Sequence, residues 1–203
     1  MKIILKTKIL IKVLIIISCS SHPSLAEKIS LNKISDYING LTTLQADFEQ
    51  INSDGSIDRG KLYIRRPGRM RLEYTAPNNA LVIAGAGSVA IFDDKSKNGP
   101  TLFPLKKTPL NLLLKKNVDL YKNEMITEHT ANNENTFIVA KDPKRKSQGS
   151  IKMVFSNSPV SLQGWTITNQ SNQKTKIILD KLDKKTKIPL YLFNISAASK
   201  NKN

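Results

Sequence analysis

From Thr43 onward apolar and polar residues alternate one by one, with Leu44, Ala46 and Phe48 on one face and Gln45, Asp47 and Glu49 on the other. That is the period of a half-buried β-strand. Before it the rhythm is helical: Ile34, Tyr37, Ile38 and Leu41 recur at i, i+3, i+4 and i+7 and form one stripe. Ser30 or Asn32 is placed to cap the start of this helix and Gly40 to mark its end. The run Asn52-Ser53-Asp54-Gly55-Ser56 turns the chain into a strand over 57–66, and Pro67-Gly68 turns it again into a strand over 69–75. Apolar runs at 80–84 and 89–92 continue the series. Connections this short permit only antiparallel neighbours, because a parallel pair needs a crossover of about a dozen residues.

Between Pro100 and Asn117 the rhythm changes. Thr108-Pro109-Leu110-Asn111-Leu112-Leu113-Leu114 reads as a capped helix with proline at its first position and Leu110, Leu113 and Leu114 on one side. Strands resume at 122–130, 136–141, 150–155, 161–168, 174–181 and 189–195, and the polar, lysine-rich tail from Ser196 is expected to fray. The expectation is a mainly β fold of about 11 antiparallel strands with two or three helices. A sheet that wide curls under its own twist, and helices interrupting the meander leave it an unclosed barrel.

The hairpin over 57–75 is the most informative stretch. Leu62, Ile64 and Arg66 share one side of its first strand, and Met70, Leu72 and Tyr74 one side of its second. A guanidinium at the end of an apolar row needs partners for five donors, so it either caps that face against another element or emerges into water. The one-sided strands and two amphipathic helices must also cover something. Helices lying flush would make an ordinary core; a gap left by curvature would make a pocket for an apolar ligand. Patterning leaves both open. In either case the lining is Phe48, Leu62, Ile64, Met70, Leu72, Ile83, Ile91, Met153 and Phe155 from strands, with Leu110, Leu113 and Leu114 from the cover.

Lys2, Lys6 and Lys8 precede an apolar stretch over 9–17 broken only by Lys12, and Ser24-Leu25-Ala26 offers small residues to a signal peptidase. This reads as an export signal over 1–26, cleaved after Ala26, ahead of a single domain over 27–203. The stretch is too short to span a membrane. Ile16-Ile17-Ser18-Cys19 also resembles the box before a lipid-modified bacterial cysteine, which makes Cys19 a rival processing site. Cleavage after Ala26 would remove the sole cysteine, and with it disulfides, thiolate chemistry and cysteine-held metal.

The chain carries a net charge of +16 over 203 residues. Its lysines are dispersed rather than gathered on one element between aromatics, which argues against nucleic acid. Heavy use of Lys, Asn and Ile fits drift toward A/T-rich codons; the functional alternative is attraction to anionic lipid head groups or to an acidic partner. Only His129 would outlast removal of the leader, so a Ser-His-Asp arrangement has one candidate. Asp93-Asp94 is the one tight acidic pair and reads as the start of a loop rather than a metal site. Gly85-Ala86-Gly87 lacks the third glycine and following helix of a dinucleotide fingerprint. No catalytic residue, metal or cofactor is assigned, and an enzyme is not expected.

Four segments, in order, resemble the periplasmic carriers of outer-membrane lipoproteins, the LolA family: 44–50 (LQADFEQ), 60–74 (GKLYIRRPGRMRLEY), 104–114 (PLKKTPLNLLL), and 162–170 (LQGWTITNQ) followed by 175–179 (TKIIL). The likeness runs from residue 36 to about 195. It implies an unclosed antiparallel β-barrel whose concave face is covered by helices, over an apolar cavity that accepts lipoprotein acyl chains. It also implies that the arginine just before the hairpin proline, here Arg66, bonds to the helical lid and holds the empty form shut. The implied partners are acylated lipoproteins, an inner-membrane lipoprotein-releasing ABC transporter where nucleotide energy is used, and an outer-membrane lipoprotein receptor, with the carrier a periplasmic monomer. Met70 and Leu72 stand where the family often has aromatic residues, and Trp165 is the only tryptophan, so the shape of the cavity is not carried over. A lipid-binding or envelope-stress sensor module of the same fold, and a secreted hydrolase built on His129, are the rival functions.

Overall fold

The computed structural model describes residues 28–93, 99–142 and 149–201; the expected export signal, Cys19 and Asp94 lie outside these residues. The helix read at the start is α1 (Leu31–Gly40), and Ser30 caps it by accepting a hydrogen bond from the Lys33 amide at 3.2 Å. Ile34 and Ile38 are fully buried and Leu41 nearly so, as the stripe requires.

Eleven strands follow: β1 (Thr43–Ile51), β2 (Ile57–Arg65), β3 (Arg69–Tyr74), β4 (Leu81–Gly85), β5 (Ser88–Phe92), β6 (Thr101–Pro104), β7 (Ile126–Ala131), β8 (Asn135–Lys141), β9 (Ser150–Asn157), β10 (Val160–Thr168) and β11 (Lys174–Asp183). They make one antiparallel sheet in the order β6-β5-β4-β3-β2-β1-β11-β10-β9-β8-β7. The chain therefore walks from the middle of the sheet out to one edge at β6, crosses to the opposite edge at β7, and walks back until β11 pairs with β1. The two edge strands do not pair, and the sheet stays open. Residues 105–125, the crossing, hold a 3-10 turn (Leu105–Lys107) and the single-turn helix α2 (Asn111–Leu114). Leu105, Leu110, Leu113, Leu114, Val118 and Leu120 of the crossing, together with α1, bury the concave inner face of the sheet in one apolar core.

A second, smaller core lies on the outer face. Leu81, Ile83, Ala90 and Phe92 pack there against Ile188 and Phe193 of the C-terminal segment. This is why β4 and β5 read as nearly continuous apolar runs: both their faces are covered. Gly85 admits this cover, since a Cβ at that position would lie 2.4 Å from the Phe193 carbonyl oxygen.

Several expectations are corrected. The stretch read as a strand over 189–195 is a 3-10 turn (Leu190–Phe193) leading into α3 (Ile195–Asn201), and the described part of the tail expected to fray, 196–201, belongs to that helix. Short apolar runs do not reveal their period, and here Ile195 and Ala198 find apolar partners on the sheet. β6 was missed because all four of its residues are exposed, which erases any alternation. The helix expected over 108–114 is shorter: the Thr108 hydroxyl donates to the Leu105 carbonyl instead of capping, and only Asn111–Leu114 is α-helical.

Candidate functional site

The β2–β3 hairpin places Arg66 at the rim of the inner face, at the end of the row formed by Leu62 and Ile64, both fully buried. The Arg66 amide donates to the Thr42 carbonyl and the Gly68 amide to the Leu114 carbonyl, each at 2.8 Å, so the hairpin tip is pinned between the ends of α1 and α2. Gly68 sits at φ +75°, a conformation that a side chain would disfavour. The guanidinium then reaches under the lid. Its Nη1 donates to the Ile38 carbonyl and, at 3.4 Å, to that of Leu41; its Nη2 donates to Lys115 at 2.6 Å and to Lys116 at 3.4 Å. All four acceptors are main-chain carbonyls at the C-terminal ends of the two lid helices, where amide donors run short and a cation is favoured. Nε is buried without a partner. Burial lowers the Arg66 pKa from its ordinary value, yet a guanidinium remains charged.

The two pieces of the lid are laced together. Asn39 donates through Nδ2 to the Val118 carbonyl at 2.8 Å and accepts through Oδ1 from the Val118 amide at 2.9 Å. Ser35 Oγ accepts from the Leu120 amide at 2.9 Å and donates to the Leu31 carbonyl at 2.7 Å. The N-terminal end of α1 is strapped to the sheet at Ile29, whose amide donates to Thr136 Oγ1 at 3.0 Å and whose carbonyl lies 2.8 Å from His129 Nε2. Burial is the main cause that lowers the His129 pKa, so at neutral pH the ring is uncharged and its Nε2–H donates. His129 is thus tied to the main chain of the lid. The same hairpin that holds the lid also clamps the outer cover: Arg65 donates to the Ile188 carbonyl at 2.6 Å and Arg71 to that of Leu192 at 3.0 Å.

Beneath the lid, Phe48, Leu62, Ile64, Met70, Leu72, Leu110, Leu113, Leu114, Met153 and Phe155 meet in the inner core, none more than 6% exposed. Ile83 does not join them: its register opposite Arg71 and Ala90 turns it to the outer core. Ile91 is half-buried and belongs to neither core. Ile138, Ile151, Trp165 and Ile177 complete the inner wall and were readable from the same alternation in β8 to β11. Asn39, Ser35, Arg65 and Arg71 were missed, because their partners are main-chain groups that no residue pattern announces.

Of the two arrangements that patterning leaves open, the helices adopt the flush one. A cavity of about 80 Å³ lies at the edge of the lid, bordered by Pro109, Leu112, Met125 and Ala140. That is well below the roughly 300–1,000 Å³ of a small-molecule site. Among the described residues the side chains of the inner face are packed against the two helices and the crossing segment that cover them.

The sequence profile of the family described as outer membrane lipoprotein carrier protein LolA matches residues 39–196. An outer-membrane lipoprotein carrier protein of Chromohalobacter salexigens is 24% identical over 165 residues, 74% of this chain and 75% of that protein. One of Methylococcus capsulatus is 31% identical over 80 residues, 37% of this chain and only 38% of that protein. An uncharacterized protein of Rickettsia prowazekii is 28% identical over 187 residues, 92% of this chain and 86% of that one. A crystallised domain of Vibrio parahaemolyticus, named for outer membrane lipoprotein sorting, superposes with a TM-score of 0.50 at 11% identity, over 83% of this chain and 97% of that one, a likeness of fold alone. The profile spans the Arg66 hairpin, the crossing segment and all eleven strands, and the chain belongs to the LolA family of outer membrane lipoprotein carrier proteins.

Proposed function

We propose that this protein is a periplasmic chaperone that shelters the acyl chains of lipoproteins between the inner face of its sheet and its lid, taking them from an inner-membrane ABC transporter to an outer-membrane receptor. The observation that carries this reading is a predominantly apolar inner face under a cover whose rim is held by one cation bonded to neutral carbonyls. Family membership and the names of the carrier relatives support it. None of the described helices is long and apolar enough to cross a membrane.

Transfer energies say what such a carrier must do. A buried methylene is worth about 0.8 kcal/mol, so a sixteen-carbon chain in water is disfavoured by roughly 12 kcal/mol. The lid leucines and isoleucines offset part of that in the empty form, because loading moves them off the sheet. Binding is then weaker than burial in a dedicated pocket would be, and a carrier that must unload needs that moderation. In this reading the chains lie against Phe48, Leu62, Ile64, Met70, Leu72, Met153 and Phe155, with Leu110, Leu113 and Leu114 lifted away.

Mass spectrometry of material bound to the protein purified from a bacterial envelope tests the proposal directly: an acylated lipoprotein is expected, while free lipid alone would favour a lipid-binding or sensor module. Trp165 offers a second readout, since it is the only tryptophan and lies 2% exposed in the inner wall. A brominated acyl chain should quench its fluorescence, and unchanged emission at saturating ligand would count against the site.

A further inference from the structure

The outer face of the sheet has two unlike halves. Over β4 and β5 it is covered by the C-terminal segment. Along β1, β2 and the far end of β11 it carries ion pairs: Arg59 with Glu49 at 2.7 Å, and Lys61 and Lys181 with Asp47 at 2.9 and 3.0 Å. Over β8 to β11 none of the described residues covers it, and a groove of about 760 Å³ runs there. Register fixes its floor. Phe137 pairs with Val154, Val154 with Gly164 and Gly164 with Ile178, a half-buried apolar row with a dip where glycine has no side chain.

One step along the strands, Lys152 and Lys176 flank Thr166 directly on either side, and Lys174 lies two residues from Lys176 on the same face. Strand spacing puts the Lys152 and Lys176 backbones about 10 Å apart, so both ammonium groups can converge on one anion with the Thr166 hydroxyl between them. The three lysines are exposed, and among the described residues none has a carboxylate within ion-pairing distance. Lys152 instead lies 4.5 Å over the Phe137 ring. Glu128, on the edge strand, is the single carboxylate in the lining.

We infer that this groove docks the protein onto the phosphates of anionic phospholipid head groups at a membrane surface, an activity that goes beyond carrying acyl chains. Lysines bind phosphate as compact point charges and demand no fixed orientation of the anion, which suits the mobile head groups of a lipid surface. The groove lies within a sheet face whose strands are already paired on both sides, so a peptide laid there would find no ladder partners for its own amides and carbonyls. A lipid head group brings no such groups, and the apolar floor accepts the glycerol and ester region beside it. The lid is on the other face, so docking leaves the Arg66 fastening free to open.

The test is co-sedimentation of the protein, purified as it occurs in a bacterial envelope, with vesicles of phosphatidylcholine alone or with about one-third phosphatidylglycerol, at low and high salt. Binding that needs phosphatidylglycerol and weakens with salt is expected. The combined variant Lys152→Gln, Lys174→Gln, Lys176→Gln should lose about a hundredfold in partitioning, at roughly fivefold per lysine near an anionic surface. A control variant of equal charge change at exposed sites elsewhere, Lys33→Gln, Lys122→Gln, Lys187→Gln, should lose less than about fivefold. Equal losses in the two variants would overturn the inference, as would binding indifferent to phosphatidylglycerol. Complete displacement by millimolar inorganic phosphate would also overturn it and assign the lysines to free phosphate. Capture of an acidic peptide without any vesicle binding would do so too, and would give the groove to a protein partner. Thermal unfolding of both variants close to the parent shows that the readout is docking rather than folding.

Discussion

A guanidinium whose acceptors are all neutral carbonyls makes a fastening of intermediate strength. Hydrogen bonds from a charged donor contribute about 1.5–3 kcal/mol each, and Arg66 makes its closest ones to Ile38 and Lys115, while its buried, unpartnered Nε takes part of that gain back. Had a carboxylate stood there, breaking the buried pair would cost about 3–5 kcal/mol. Were the lid to lift, as the proposed function requires, these carbonyls could exchange Arg66 for water. Lysine at this position has no fork to span both helix ends, so Arg66→Lys should speed amide exchange at residues 38–41 and 115–118 by about ten- to a hundredfold, measured by hydrogen exchange. Arg66→Leu should leave the fold nearly intact but hold loaded acyl chains, seen as slowed release to the receptor in a transfer assay; normal release would count against the lock. Asn39→Ala removes two bonds to Val118 and, because Asn39 is exposed, should cost only about 1 kcal/mol in urea unfolding. Its effect should not add to that of Arg66→Lys, since both residues hold the same piece of lid. The place of Arg66 was readable from side-chain alternation, but its acceptors lie 25 to 50 residues away in the chain and were not.

At the scale of elements, one hairpin serves two covers. Alternation sends Arg66 inward to the lid, and Arg65 and Arg71 outward to the C-terminal segment. Helix α1 is held at both ends, by Arg66 at its C-terminus and by the Ile29 strap to His129 and Thr136 at its N-terminus. The strap has a pH signature. Because the folded pKa of His129 lies below its usual 6.5, the unfolded chain takes up the proton first as pH falls. The stability owed to this group is complete above pH 6.5 and declines below it toward the folded value. Urea unfolding should therefore show a loss as the pH falls below about 6.5 that is absent in His129→Gln, which keeps a donor but cannot titrate. Gly85→Ala would set a methyl against the Phe193 carbonyl, so it should lower stability by about 1–3 kcal/mol and raise exchange in α3, with the lid unaffected. Strands with one covered face were legible because their alternation records it. β6, with no covered face, and the 189–195 run, too short to show a period, were not.

Across the whole molecule, the segment that joins the two edges of the sheet is also part of its lid. Residues 105–125 run across the inner face, and their leucines fill the space that closing the barrel would otherwise remove. In the proposed carrier reading, loading would displace the crossing and α1 together, because Asn39 and Ser35 lace them. Hydrogen exchange on the loaded protein should rise at 31–41 and 111–120 while β1, β2, β10 and β11 at the centre of the sheet stay protected; uniform loosening would mean that the sheet opens instead. The sequence by itself determined the strands with one oily face, the helix with one oily stripe, the turns between them and the inward direction of the arginine before the hairpin proline, because each is local periodicity or local turn chemistry. Tertiary structure alone decided that the lid lies flush, that Ile83 faces outward, that the tail folds back as an outer cover, and that Lys152 joins the distant Lys174 and Lys176 in one groove. Those outcomes depend on which distant strands pair and which main-chain groups are left to satisfy, and neither is written in the spacing of side chains.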